Sequence, residues 1–272
     1  MADSDGVLLL GASGRLGRMV RAAWTGPALF PVYRDDIKRI QAEEDLPGLG
    51  KIGQIRTVAA LWGSPDRPQE HATLAVMALH LARFLGAQRV IHCSSAAVYA
   101  AGNDDHRESD PLSVRSSYAS GKVDMERAIR DWTHDNPEGP KSVVLRIGNV
   151  AGADSLFANL RPGQSITLDR FSDGRGPCRS YLTGKGFTEV VVAILADRQI
   201  VGTYNVAAHD PLEMADIALE AGAQVYWRDA PETAVQRVGL DVSKLLMALP
   251  EIDLSEDVKG LVKEARIGGI WP

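Results

Sequence analysis

Apolar runs of strand length alternate with segments of helical period along the first half of the chain. "GVLLLG" (6–11), "LFPVYR" (29–34), "IRTVAALWG" (55–63) and "RVIHCSS" (89–95) read as strands, with helical segments "RMVRAAW" (18–24) and "HATLAVMALHLARFLG" (71–86) among them. In the longer helix Leu74, Met77, Ala78, Leu81 and Leu85 recur at three- and four-residue steps, which predicts a stripe packed on a sheet. A further helix begins near Ser117, and the strand "SVVLRIGNV" (142–150) follows it. Strands alternating with helices predict an α/β fold whose parallel sheet is covered on both faces. Beyond that strand the order loosens into "SITLDRF", "GFTEVVVAILADR", "GTYNVAA", "PLEMADIALEAG" and a last helix near 255–265. A soft boundary near residue 152 separates a first domain, 1–152, from a smaller substrate lobe, 153–272, that can return a strand or helix to the main sheet.

The first strand ends in "LLLGASGRLGRMV" (8–20), where Gly11, Gly14 and Gly17 hand over to a helix. Missing side chains there let the backbone approach a pyrophosphate, whose charge sits well on the N–H groups of a helix N-terminus. The spacing G-x-x-G-x-x-G differs from the commoner G-x-G-x-x-G, and a tight turn without ligand is the alternative. In the nucleotide reading the fold is a Rossmann-type doubly wound sheet. The loop residues Gly11, Ser13, Gly14, Arg15, Leu16 and Gly17 would then line the cofactor, with Leu61, Trp62 and Ser94 at neighbouring strand ends. The second strand closes on "VYRDD". Arg34 there suits the 2′-phosphate of NADP, with Arg15 or Arg18 as helpers, whereas Asp35 and Asp36 keep NAD open.

At 116–122 stands "SSYASGK", which puts Tyr118 and Lys122 four residues apart. On a helix they share a face, so the ammonium is expected near the phenol, where a cation lowers a pKa of about 10. "RVIHCSSAAVYA" ends its strand with the hydroxyls of Ser94 and Ser95 at the carboxyl edge, where ligands of such sheets bind. Together these stretches resemble the extended short-chain dehydrogenase/reductase family, which contains nucleotide-sugar epimerases, dehydratases and reductases. The likeness runs through the glycine loop, "SSAAVY", Tyr118-x-x-x-Lys122, "LRIGNVAG" (145–152), "RSYL" (179–182) and "GTYNVAA" (202–208). It implies Tyr118 as general acid/base, Lys122 as its activator and ribose ligand, and Ser95 as hydrogen bonder to the reacting oxygen. Hydride would move between nicotinamide and a carbinol or carbonyl carbon.

The resemblance has departures. Ala96 and Ala97 stand where the family's dehydratases carry an acidic pair, so water elimination is not expected. After "RSYL" the chain runs "TGKG", so the substrate lobe is tuned differently; Arg179 matches a position that can hold a diphosphate and Asn149 one that faces substrate. Trp62 replaces a small residue and is expected to thicken the wall beside the cofactor. The polar segment 100–117, which joins the Ser95 strand to the Tyr118 helix, is expected to be exposed and to run beside the pocket.

Composition narrows the picture further. With 45% hydrophobic residues over 272 positions the chain can bury a large core, and a formal net charge of −5 gives no basic footprint. Lys and Arg are scattered instead of striped, so a small-molecule substrate is expected in place of nucleic acid or a membrane surface. Cys93 and Cys178 form no CxxC pair and the N-terminus lacks a basic leader, which fits a cytoplasmic protein; a homodimer is the expected assembly. The six histidines are dispersed, and no metal is expected. Three functions compete: an NADP-preferring reductase of a sugar-like, nucleotide-linked keto group, an epimerase holding NAD, and a dinucleotide sensor without turnover.

Overall fold

The alternation of apolar runs becomes a six-stranded parallel sheet in the computed structural model, which describes residues 6–33, 36, 54–100, 102, 104–267 and 271. Along the chain come β1 (Gly6–Leu10), α1 (Arg15–Ala23), β2 (Leu29–Val32), β3 (Ile55–Ala60), α2 (His71–Phe84), β4 (Arg89–Ser95), α3 (Ser117–Asp135) and β5 (Lys141–Ile147). Then follow β6 (Asn149–Val150), α4 (Ser155–Asn159), β7 (Ser165–Arg170), β8 (Cys178–Arg179), β9 (Tyr181–Leu182), α5 (Gly184–Ala196) and β10 (Gly202–Val206). The strand order is β10-β5-β4-β3-β1-β2, so the chain leaves β1 towards β2 on one side and returns to β3 on the other. That reversal opens a crevice at the carboxyl ends of β1 and β3, the place where such sheets take ligands.

Side chains alternate across the sheet as the pleat requires. Val7, Leu9, Ala59, Ile91 and Leu145 pack with Val20 of α1 and Phe187, Val190 and Ile194 of α5. Leu8, Leu10, Val58, Val90 and Val144 pack on the opposite face with Ala78 and Leu79 of α2 and Met125 and Ile129 of α3. The stripe expected along α2 is shifted: Ala75, Ala78, Leu79, Leu81 and Ala82 are buried, whereas Leu74, Met77 and Leu85 are only half-buried. Small residues fit here because α2 is packed against α3 as well as against the sheet.

The strand expected over 142–150 breaks at Gly148. A Cβ there would lie 2.6 Å from the Ser180 carbonyl oxygen, so only glycine lets the chain leave the main sheet and pair Asn149–Val150 with Tyr181–Leu182. Gly202–Val206 rejoins the main sheet beside β5. The C-terminal residues also build a core of their own, in which Leu156, Phe157, Tyr181, Ile217, Leu261 and Trp271 are buried together. Gln224–Asp229 pairs with β7, and Arg237–Val238 with β8. No helix among the described residues is long and apolar enough to cross a membrane.

One ionic contact ties α3 to the end of the sheet. Glu126 and Arg146 are 3% and 5% exposed, and Arg146 Nη2 donates to Glu126 Oε2 at 2.7 Å while Nε donates to Oε1 at 3.0 Å. Ser94 Oγ also donates to Glu126 Oε1, at 2.6 Å. The far side of the guanidinium donates to the Tyr99 hydroxyl and the Glu108 carbonyl, both at 3.0 Å. Burial disfavours the Arg146 charge, but the Glu126 carboxylate outweighs it and holds the guanidinium more firmly protonated than usual. Truncating one partner of such a pair strands the other charge, at about 3–5 kcal/mol. Glu126→Ala is therefore expected to lower the unfolding free energy by about that amount in denaturant titration. Arg127→Ala, which removes only the exposed pair with Asp124, should change it by less than about 1 kcal/mol.

Candidate active site

Each element of the sheet's carboxyl edge contributes a group to one region. After β1 the chain turns at Gly11, whose φ of +88° disfavours any side chain, and a Cβ there would lie 2.9 Å from the Leu61 and Trp62 backbone. A Cβ on Gly17 would come within 2.2 Å of the Gly11 carbonyl oxygen, so the first turn of α1 presses directly on the loop. At the N-cap, Gly14 offers no side-chain hydrogen bond, and the first turn holds no acidic residue. The leading N–H groups of α1 are thus left for an external acceptor beside exposed Ser13, Gly14 and Arg15. These features fit a pyrophosphate. Leu16 is half-buried against the core, and Arg15 donates to the Ala153 carbonyl at 3.2 Å, bridging the loop to the segment after β6.

Arg34 and Asp35 lie outside the described residues. Asp36 turns back on its own strand end, accepting from the Tyr33 N–H at 3.0 Å. Trp62 borders the loop with its backbone, but its side chain packs with the Leu8 and Leu10 layer beside α2.

Ser95 ends β4 and caps the short 3₁₀ turn Ala96–Val98, its Oγ accepting from the Ala97 N–H at 3.2 Å. Ser116 caps α3 by accepting from the Ala119 N–H, which fixes the helix start two residues before Tyr118. The fold brings Ser95, Tyr118 and Lys122 together. The Ser95 hydroxyl is near enough to the Tyr118 phenol to favour its ionised form, and Lys122 Nζ lies 5.9 Å from the phenol ring centre. Lys122 is 5% exposed and donates to the Cys93 carbonyl at 2.6 Å.

The electrostatics reverse one expectation. Burial pushes the Tyr118 phenol up to about 12, Cys93 adds to the rise, and the Ser95 hydroxyl only opposes it. The Lys122 ammonium beneath it is held by the Cys93 carbonyl. Burial likewise lowers the Lys122 proton affinity, against the favourable charge of Glu126 one turn further along α3. Around the lysine stand two buried imidazoles. Burial first, then the Lys122 charge, lower His71 to about 4 and His92 to about 3. His71 touches the Tyr118 ring edge-on at 5.8 Å and shares a hydrogen bond with the Ser64 carbonyl at 3.1 Å.

A cavity of about 550 Å³ opens beside these groups, lined by Ser95, Ala96, Arg115, Asn149 and Arg179. No carboxylate lines it among the described residues. Arg179 Nη1 donates to the Cys178 and Gln236 carbonyls and Nη2 to the Val235 carbonyl, each at 2.8 Å, so backbone oxygens orient its charge without neutralising it. Asn149 donates to Asp154, which also accepts from the Tyr181 hydroxyl at 2.8 Å and caps α4. The segment after Tyr99, expected as an exposed loop, is bound at its described residues: His106 exchanges backbone hydrogen bonds with Gly239 and Asp241, and Asn205 holds the His106 carbonyl at 2.7 Å. It does reach the cavity, through Arg115 and Ser116. Among the described residues no group of three His, Cys, Asp or Glu is placed to hold a metal ion.

Sequence reasoning passed over Glu126, Arg146, His71 and Arg115. Glu126 had a signal, a charge four residues after Lys122 on the same helical face. His71 and Arg115 had none, since only the fold brings them to Tyr118 and to the cavity.

The comparisons with known proteins agree with this geometry. The model of the NAD dependent epimerase/dehydratase family matches residues 53–206, more than half of the chain, and the chain belongs to that family. No curated sequence relative matches. Among solved structures, the UDP-glucose 4-epimerase from Bifidobacterium longum in complex with NAD+ and UDP superposes with a TM-score of 0.72 at 14% identity, covering 96% of each chain. The UDP-glucuronic acid 4-epimerase from Bacillus cereus, with UDP-glucuronic acid and NAD, gives 0.73 at 16% identity, over 97% of this chain and 99% of its own. TunA, an NAD-dependent NDP-hexosamine 5,6-dehydratase of tunicamycin biosynthesis, gives 0.71 at 18% identity over 97% of each. At these identities the likeness is one of fold, and it establishes the Rossmann-type sheet.

The buried imidazoles give a pH dependence. Both are lowered from 6.5, so the folded state binds fewer protons than the unfolded chain once the pH falls below that value. Their contribution is complete above about pH 6.5 and is lost as the pH falls towards 4 for His71 and 3 for His92. Denaturant titrations at pH 7, 6 and 5 should show stability falling with pH, and His92→Leu should flatten the slope. An unchanged slope in that variant would mean that His92 is not held neutral.

Proposed function

We propose that the chain is a nicotinamide-dinucleotide-dependent oxidoreductase acting on a hydroxyl or keto carbon of a sugar-like, nucleotide-linked substrate. The observation that carries this reading is the convergence of Ser95, Tyr118 and Lys122 at the end of β4, beside a cavity that no carboxylate lines among the described residues. The dinucleotide would rest its pyrophosphate on Gly11, Ser13, Gly14, Arg15, Leu16 and Gly17, with Leu61, Trp62 and Ser94 at the adjoining strand ends. When bound it supplies the hydride acceptor or donor. The division near residue 152, with the first part holding the dinucleotide and the second the substrate, belongs to the same proposal.

The chain's own residues do the proton work. Tyr118 holds the proton that the substrate oxygen gives up or receives, and Ser95 Oγ orients that oxygen from beside the phenol. Buried Lys122 supplies a positive charge one turn below, which favours a transient phenolate. Arg179 offers an oriented guanidinium for an anionic group of the substrate, and Asn149 and Ala96 shape the wall beside the reacting carbon. The alanines at 96 and 97 leave water elimination without the acid and base that it needs, which favours hydride chemistry over dehydration.

A second reading, a 4-epimerase that returns the hydride to the opposite face, draws on the printed activities of the Bifidobacterium and Bacillus neighbours. The cofactor carried by the purified protein separates the two: tightly held NAD supports the epimerase, and an empty site that prefers NADPH supports the reductase.

Tyr118→Phe is expected to abolish hydride transfer with little change in dinucleotide affinity, because the phenyl ring fills the same space and cannot exchange a proton. Retained turnover removes Tyr118 from the chemistry. The choice between cofactors rests on Arg34. Arg34→Ala should weaken NADPH about ten- to a hundredfold and NADH far less, since a charge-assisted contact is worth roughly 1.5–3 kcal/mol. Equal losses for the two cofactors would take Arg34 out of the phosphate site.

A further inference from the structure

The wall of the cavity beside Ser95 carries one group whose orientation is decided outside it. Asn149 lines the cavity together with Ser95, whereas Asp154, at the start of α4, does not. The chain turns tightly between the two: the Ala153 and Asp154 N–H groups both donate to the Val150 carbonyl, at 2.9 and 3.2 Å. That turn brings the Asp154 carboxylate against the Asn149 amide, whose Nδ2 donates to Oδ2 at 3.1 Å.

Asp154 is filled by donors. Besides Asn149, Oδ2 accepts from the Leu156 N–H at 3.2 Å and from the Tyr181 hydroxyl at 2.8 Å, and Oδ1 accepts from the Phe157 N–H at 3.3 Å. A carboxylate has about four lone-pair sites, so none is left for a proton or a further donor. Burial raises the Asp154 carboxyl above its ordinary value, and these same donors work against that rise. An acceptor so placed fixes the sense of the Asn149 amide, because the reverse orientation would set its carbonyl oxygen against Oδ2. The Asn149 Oδ1 atom is thereby left without a hydrogen-bond partner among the described residues. Around it the cavity offers donors, from the guanidinium of Arg115 and from the hydroxyls of Ser95 and Ser116, which accept from the N–H groups they cap and keep an O–H to give. Among the described residues Asn149 Oδ1 is the one side-chain atom lining the cavity that can only accept.

We infer that Asp154 is a positioning residue for substrate choice: by holding the Asn149 nitrogen it leaves the cavity wall an acceptor, which selects a substrate carrying a hydroxyl at that place. The inference rests on the proposed reading in which this cavity takes the sugar-like part of a nucleotide-linked substrate. Ser95 and Asn149 line the same cavity, so the selected hydroxyl belongs to the part of the substrate that reacts. A keto oxygen or a fluorine at that place meets Oδ1 lone pair to lone pair, and the acceptor then loses water without gaining a donor.

The test uses the full chain saturated with NAD and, as probes, UDP-glucose and the analogues in which each sugar hydroxyl in turn is replaced by fluorine, which cannot donate. Calorimetric titration gives the dissociation constants. For one analogue the wild type is expected to bind at least about fivefold more weakly than UDP-glucose, and that ratio should fall to within about twofold in Asn149→Leu and in Asp154→Ser. Serine keeps a cap oxygen for α4 but is too short to hold the amide, which is then free to turn an N–H towards the fluorine. Tyr181→Phe removes a different donor from the same carboxylate and should keep the full ratio, which separates orientation of Asn149 from a general loosening of the cluster. With no sugar nucleotide present, the Asn149 side-chain amide, identified in NMR spectra by its absence from Asn149→Leu, should exchange with solvent more slowly in the wild type than in Asp154→Ser. If Asp154→Ser melts early, Asn149→Leu carries the comparison. The inference alone is overturned if UDP-glucose binds and no analogue shows a loss that depends on Asn149, if the loss survives in Asp154→Ser, or if the amide exchanges equally in the two proteins. Failure of UDP-glucose and every analogue to bind the wild type overturns the nucleotide-linked sugar reading, and this inference with it.

Discussion

The buried contact between Glu126 and Arg146 is the constraint on which the edge of the sheet depends. A carboxylate and a guanidinium at 3% and 5% exposure are stable there only if each finds the other and the remaining donors and acceptors are also met. Meeting them recruits Ser94 from the end of β4, Tyr99 after the 3₁₀ turn, and the Glu108 backbone. Through Tyr99 the network reaches Asn205 of β10, which in turn holds the His106 and Asp241 carbonyls. One ion pair thereby fixes how α3 lies against β4 and β5 and anchors the chain that leaves β4. Tyr118 and Lys122 are carried on that helix, so their position relative to Ser95 is set by an ion pair, Glu126 with Arg146, that does not line the cavity.

The same burial explains the electrostatic character of the site. Lys122 lies beneath Tyr118 among Cys93, His71 and His92, and desolvation raises the phenol, lowers the lysine and keeps both imidazoles neutral. Glu126 offsets part of that penalty for the lysine, so the Arg146 pair also supports a cation under the phenol. A protonated phenol beside a hydroxyl and above a buried cation is a group ready to give a proton. It becomes a base when negative charge on its oxygen is stabilised, and that stabilisation is the work assigned to Lys122 in the proposed reaction.

Much of the fold was legible because period-2 and period-3.6 patterns report burial directly, and burial is what a doubly covered parallel sheet imposes. The runs at 6–11, 55–63 and 89–95 contain β1, β3 and β4, and the helix beginning near Ser117 is α3. The stripe on α2 was misplaced because apolarity marks the larger side chains, whereas two neighbouring surfaces select small ones such as Ala75, Ala78 and Ala82. The break at Gly148 could not be read because its cause is a carbonyl 32 residues later, at Ser180. In the site, the shared helical face of Tyr118 and Lys122 was legible from their spacing, whereas their roles were implied only by the family resemblance. The direction of the Tyr118 shift was not, since spacing shows that an ammonium can reach a phenol but not how deeply the fold buries that phenol. The face that the Trp62 indole packs on was not legible either, since that choice belongs to the layer that receives it.

The two edges of a parallel sheet offer different chemistry. At the carboxyl edge strands hand over to helices, so N–H groups, hydroxyls and tight glycine turns collect there, as at Gly11, Ser95 and Ser116. These are neutral or partial charges with fixed directions, suited to orienting a ligand whose own charge is spread over a diphosphate. At the amino edge helices end and strands begin, so helix-terminal carbonyls collect, and cations gather to meet them, as Arg89 does at the end of α5. A strand start repeated on three adjacent strands then places such cations side by side, whatever their separation in sequence. A sequence whose basic residues look scattered can therefore bring some of them together at one edge. The meeting of Arg89 and Lys141 follows from the parallel register of Thr57, Arg89 and Lys141 and not from any local cluster in the chain.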